Sequence, residues 1–351
     1  MRKIPVSCIF VVALSSAACG GGSDETPTTQ SKKDRVFVAD EDSGSISVVE
    51  EGTNAVLKTI ALPTTPDMFM PHNVQVAPDG KSVWVAAGAM TKGGVEKAFV
   101  IDPATGEITA DIELGNELHV AHVVLDPTSS KAYVSANEGN AVVEIDAKTK
   151  TVVRTIDLGA DRGPHGMRFC RGNLWIANMT GKTLAQLDPA SGSVTEIDVG
   201  GVAVQTACAP NGKYVFVSLY DTKEVVRYEI ETKKLTRVAL PAEAQGPVQL
   251  YPSADSKTLW VCDQGILLGR PASNLLYAVD VEALQVTGKV EVGQGAHGVV
   301  LSDDGALAYV TNLAANTVSV VDTAKLESVA TIDVGTKPNG ISHWHVSGGM
   351  P

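Results

Sequence analysis

The sequence predicts an all-β protein, a seven-bladed β-propeller of four-stranded antiparallel blades. Three observations predict it: Val- and Ile-rich runs of strand length, a spacing that repeats along the chain, and an unmatched strand at each end. The clearest unit opens with His297-Gly298-Val299-Val300, turns at Asp304-Gly305 and continues through Tyr309-Val310-Thr311-Asn312. It then runs from Asn316 to Asp322 and closes at Thr331-Ile332-Asp333-Val334-Gly335. Asp-Gly and Asn-x turn residues separate four such runs, as consecutive hairpins require.

The repeat is counted from the aromatic of the second strand to the acid ending the third. Phe37 to Glu50, Tyr133 to Asp146, Trp175 to Asp188, Phe216 to Glu229 and Tyr309 to Asp322 are each 13 residues apart. Trp84 to Asp102 is 18 and Trp260 to Asp280 is 20, which adds two units with insertions. The first unit starts at its second strand, Arg35-Val36-Phe37-Val38. The C-terminus supplies the missing strand, since Pro338-Asn339-Gly340-Ile341-Ser342 matches Pro71-His72-Asn73-Val74-Gln75. A ring closed by pairing the two ends uses both pieces and leaves only short, protected edges.

Residues 1–18 read as an export signal: Arg2 and Lys3, an apolar run densest from Ile9 to Leu14, then Ser15-Ser16-Ala17-Ala18. Cys19 follows at the point where a bacterial lipoprotein signal, which this segment resembles, carries its lipidated cysteine. Ser16 stands where that class usually has Leu, and ordinary signal cleavage would also suit the site. Residues 19–34 form a polar, glycine-rich tether, 35–346 the propeller and 347–351 a tail. The expected location is extracytoplasmic, on a bacterial membrane facing the periplasm or cell surface. Of the remaining cysteines, Cys170, Cys208 and Cys262 show no paired spacing and read as small buried hydrophobes.

Charge narrows the partners. Lys and Arg total 28 against 40 Asp and Glu, a formal net charge of −12, with no basic run. Nucleic acid is disfavoured, because phosphate backbones need clustered Lys and Arg.

The seven innermost strands open at His72, Ala121 (with His122 beside it), His165, Val204 (beside Gln205), Val248 (beside Gln249), His297 and Asn339. His72, His122, His165 and His297 therefore gather, with Asn339, in one arc of the ring. The bland account is that each His bonds loop backbone and locks blade to blade. The functional account is a cofactor or metal site, with His72, His165, Met70, Met90 and Met167 as candidate metal donors. Imidazole with thioether suits Cu(I), and His/Met pairs also hold haem iron. Met68-Phe69-Met70 can equally be an apolar plug. The insertion Gly265–Pro271 reads as a lid, a partner contact or core packing.

Tyr309-Val310-Thr311-Asn312, Pro164-His165-Gly166 and the Thr-Ile-x-Val-Gly endings resemble the YVTN-repeat (YncE-like) β-propeller family over roughly residues 35–346. The resemblance implies the fold, and kinship with the haem-binding propeller of cytochrome-type nitrite reductases; it leaves the ligand open. The expected function is binding of a small molecule or protein partner, copper or a haem-type group included. The alternatives are a hydrolase or lyase using a funnel His as general acid or base, and a pure interaction scaffold. Against an enzyme, the channel positions matching the His residues hold Asn, Gln and Val, with no carboxylate to orient an imidazole. Asp40-Glu41-Asp42-Ser43-Gly44 reads as an ordinary acidic turn, because Ile46 and Val48 are not calcium ligands.

Overall fold

Each of the Val- and Ile-rich runs forms a strand, and the strands assemble into seven four-stranded antiparallel sheets. The computed structural model describes Met1 and residues 34–344; the export signal from residue 2, Cys19, the tether up to residue 33, residues 345–346 and the tail lie outside the described residues. Blades 2 to 7 follow in chain order. Their inner strands are Phe69–Val76, Val120–Leu125, Pro164–Cys170, Ala203–Cys208, Pro247–Pro252 and Ala296–Leu301. Blade 1 takes its inner strand from the C-terminus: Pro338–Trp344 pairs antiparallel with Arg35–Asp40, with Val36 opposite His343 and Val38 opposite Ile341. The inner strands contact one another in a closed cycle.

The aromatic ladder is the packing ruler of the ring. Phe37, Trp84, Tyr133, Trp175, Phe216, Trp260 and Tyr309 are all buried. Each stands in register with one inner-strand residue: Ser342, Gln75, Val124, Arg168, Ala207, Tyr251 and Val300 respectively. Apolar clusters fill the spaces between blades rather than the channel; Val36, Val38, Val300, Tyr309 and Ile341, for example, join blade 7 to blade 1. The acids ending the third strands are structural. The carboxylates of Asp146, Asp188 and Asp322 accept backbone N–H bonds two and three residues on, closing the outer hairpins.

Every inner strand also carries a register shift near its start. Two residues of the inner strand are passed over between Val120 and Val123, Pro164 and Met167, and Ala203 and Thr206. The same shift lies between Pro247 and Leu250, Ala296 and Val299, and Pro338 and Ile341, with a shorter one at His72. Such bulges re-aim a side chain. Here they hold the His, Gln and Asn positions picked out from the sequence.

One expectation is corrected. Cys170 and Cys208 are not isolated hydrophobes but a disulfide, with Cα atoms 5.5 Å apart. They end the inner strands of blades 4 and 5, which lie side by side, so 38 residues of sequence separation become a short span. Cys262 is free and buried. Removing a cross-link that closes a loop of this length frees the unfolded chain and costs roughly 2–4 kcal/mol. Replacing both cysteines by Ser should therefore lower the thermal midpoint, with the same drop in wild-type protein treated with a thiol reductant before heating.

Candidate functional site

The site is assembled where inner strands begin. His72 is the residue passed over in the blade 2 ladder, His122 sits in the bulge of blade 3 and His165 in that of blade 4. Their rings form a three-way edge contact, with centroids 5.1 to 6.0 Å apart. One ring nitrogen from each lies within 4.8 Å of the other two. The closest approach is His72 Nε2 to His165 Nε2, 3.3 Å. Ligands about 2.0–2.1 Å from one tetrahedral ion stand about 3.3 Å apart, so this pair already has metal spacing.

The outer ring atoms determine what the inner ones can do. His165 Nδ1 lies 3.0 Å from the Val204 carbonyl oxygen, which can only accept; Nδ1 therefore carries the proton and Nε2 presents a lone pair. On His72, Nδ1 faces Asn339 Nδ2 at 3.2 Å and Glu41 Oε2 at 3.7 Å. Asn339 Nδ2 also donates to Glu41 Oε2. Burial opposes ionisation of Glu41, but His72, Asn339 and Lys337 outweigh it and hold its carboxyl well below the usual carboxylate range. His122 is buried, with Nδ1 bonded to nothing among the described residues. Burial, then the neighbouring His165, pushes the His122 pKa well down. Burial and His72 likewise push that of His165 down to about 3. His122 and His165 are thus neutral at pH 7, the protonation state of a metal-binding imidazole.

His297 belongs to the same channel but not to the trio. Gln264 Nε2 donates to its Nδ1 at 2.7 Å, which leaves the proton of the neutral ring on Nε2. That Nε2 is buried, with Asn339 the further side chain that interacts with the ring, so His297 offers a donor rather than a lone pair. Burial, then His72, pushes its pKa down to about 3. Gln205 and Gln249 complete the ring, each with a buried amide nitrogen unpartnered among the described residues. Gly166 has to be glycine: a Cβ there would stand 2.0 Å from Gln205 Oε1 and 2.7 Å from Gln205 Cα.

The methionines are dispersed. Met167 is fully buried among Tyr133, Leu174 and Ile176, between blades. It is two residues past His165, at the register of Val74, Val123 and Val299, and side-chain alternation turns all four away from the channel. Met90 is exposed, and its backbone N–H bonds the carbonyl of the equally exposed Met68. The blade 2 insertion is thus a lengthened hairpin, pinned by Asp67 to Met68 and Thr91, rather than a loose loop. Met70 is half-buried, two residues before His72.

Two features went unseen in the sequence. Glu41 supplies the carboxylate that the matching channel positions lack, because it enters from the loop after the second strand of blade 1. That loop faces the same mouth, which was the available clue. The insertion after Asp263 is tied across to blade 5: Arg270 donates to the carbonyls of Tyr220, Asp221 and Gln245, while Leu267 and Leu268 stay exposed. It positions Gln264 against His297.

A family model described as YNCE-like beta-propeller matches residues 2–347. The chain belongs to the YNCE-like β-propeller family. No curated protein matches it. Among solved structures, it is similar to the Kuenenia stuttgartiensis hydrazine synthase at TM-score 0.71 and 19% identity, covering 88% of this chain and 99% of that one. It is also similar to virginiamycin B lyase from Staphylococcus aureus, at TM-score 0.63 and 15% identity over 77% and 87% of the two chains. The dihydro-heme d1 dehydrogenase NirN, in complex with DHE, matches at TM-score 0.59 and 13% identity over 88% and 74%. At these identities the likeness is one of fold, here shared by proteins of different chemistry.

Gly166→Ala is expected to destabilise the protein by roughly 1–3 kcal/mol, because the added methyl collides with Gln205 backbone as well as side chain. Thermal unfolding of this variant beside Gly88→Ala, where nothing lies within 4 Å of the added atom and the backbone is not left-handed, checks the assignment.

Proposed function

We propose that this YNCE-like propeller is an exported protein that binds a transition-metal ion, copper or zinc in class, between His72, His122 and His165. The observation that carries the reading is the convergence of three imidazole nitrogens, from three consecutive blades, within 4.8 Å. Glu41, 3.7 Å from His72 Nδ1, is placed to accept from that nitrogen once a metal takes Nε2, whereas in the metal-free ring the Asn339 amide faces Nδ1 and leaves the proton on Nε2. With Met167 in the core and Met90 at an exposed tip, the donors are imidazoles rather than thioethers, which suits Cu(II) or Zn(II) better than Cu(I). A haem-type group has less support: the cavity of about 900 Å³ opens at the far mouth, and no His lines it.

Metal analysis by mass spectrometry and Cu(II) and Zn(II) titration of the mature protein test this reading. One equivalent should bind, and His72→Ala with His165→Ala should abolish it, while His297→Ala should retain stoichiometry. Glu41→Gln should keep the site but weaken it about 10–100-fold. Wild-type protein that takes up neither ion at micromolar concentration would sink the proposal.

A second reading, an acid–base enzyme, draws on the same Glu41–His72 pair, since a carboxylate behind an imidazole is what general-base catalysis requires. Turnover that is lost in Glu41→Gln while metal binding persists would favour it.

Export draws support from the Cys170–Cys208 disulfide, a bond that persists in oxidising compartments. On this reading Cys19 anchors the chain by lipid, and the tether lets the propeller stand clear of the bilayer. In cell fractionation, Cys19→Ser should move the protein from the membrane to the soluble extracytoplasmic fraction. An unchanged membrane fraction would reject the anchor.

A further inference from the structure

The channel has a second mouth, with different chemistry. Where the inner strands end, a cavity of about 900 Å³ opens between the strand ends and first hairpin turns of blades 2 to 7. That is the size range of small-molecule sites. Its walls are largely apolar, with Val124, Phe169, Leu250 and Tyr251 joined by Pro127 and Pro252 at the rim.

One residue breaks the pattern. Of the seven inner-strand residues in register with the buried aromatics, six are neutral and the blade 4 residue is Arg168. Its side chain lines the cavity. Nη1 donates to the Met167 carbonyl at 2.8 Å, and no carboxylate pairs with the guanidinium among the described residues. Burial pushes its pKa down, with Tyr251 acting the other way. A guanidinium facing an apolar cavity is a fork for a planar anion. Of the other charges there, Arg171 is paired with Glu231 at 3.2 Å, Asp303 stands 3.6 Å from His343 Nδ1, and Lys213 is exposed at the rim. One free fork beside an acidic group suits a single negative charge and disfavours a phosphate dianion.

We propose that this cavity binds a small monocarboxylate with a flat apolar body, the carboxylate held by Arg168 and the body between Phe169 and Tyr251. The cavity shares no lining residue with the metal site at the opposite mouth.

Calorimetric titration of the mature full-length chain with 2-naphthoate, against neutral 2-naphthamide, tests it. Wild type should bind the acid at least tenfold more tightly than the amide. Arg168→Gln should erase that preference and Arg168→Lys should restore part of it. Ala254→Trp, at the exposed rim, should weaken both ligands and keeps the test decisive should Arg168→Gln fail to fold. The double variant His72→Ala with His165→Ala should bind 2-naphthoate as wild type does. No binding of 2-naphthoate at millimolar concentration would overturn the proposal. So would equal affinity for acid and amide, unchanged binding by Arg168→Gln, or loss of binding in the His double variant.

Discussion

Everything in this molecule depends on bringing seven inner strands together around one axis. Neighbouring blades press close there, and each inner strand carries a bulge near its start. Glycine follows where the next blade presses hardest. A Cβ on Gly298 would stand 2.7 Å from the Asn339 carbonyl oxygen, and one on Gly340 would stand 2.7 Å from Asn73 Cα. The bulge that lets the ring close is also what aims His72, His122, His165 and His297 inward. Closure and site are thus one feature of the chain, and the last strand to join, Pro338–Trp344, completes both.

That last strand is held by more than its ladder. Trp344 donates from Nε1 to the Gly80 carbonyl of blade 2 and stacks under the Arg35 guanidinium at 5.3 Å. Ser342 Oγ accepts from Val76 N–H, again crossing to blade 2. Asn339, the first residue of the blade 1 bulge, bonds Glu41 and reaches His72. The C-terminal strand therefore contributes to the electrostatics of the histidine cluster as well as to the closure of the ring.

The fold was legible because the repeat is written in residues whose spacing a strand must keep. The aromatic ladder sets the inner register, and the third-strand acids close turns of fixed geometry. The face was legible for the same reason: aligning the repeats puts the histidines at equivalent positions. What stayed hidden was lateral. Cys170 and Cys208 look unrelated along the chain, yet both fall at the ends of adjacent inner strands, so the repeat alignment already held the clue. Glu41 reads in the sequence as part of an ordinary acidic turn, although its loop opens onto the histidine mouth. Met167 was assigned to the face from its nearness to His165, where strand alternation sends it into the core.

Blade 4 links the two ends of the channel. His165 stands at one mouth and Arg168, three residues on along the same inner strand, lines the other. Arg168 is among the charges that push the His122 pKa down, after burial and His165. The Arg168 guanidinium opposes protonation of His122 above it. It therefore keeps the His122 lone pair free, and by the same repulsion it opposes any cation placed there. A carboxylate bound beside Arg168 would cancel that repulsion.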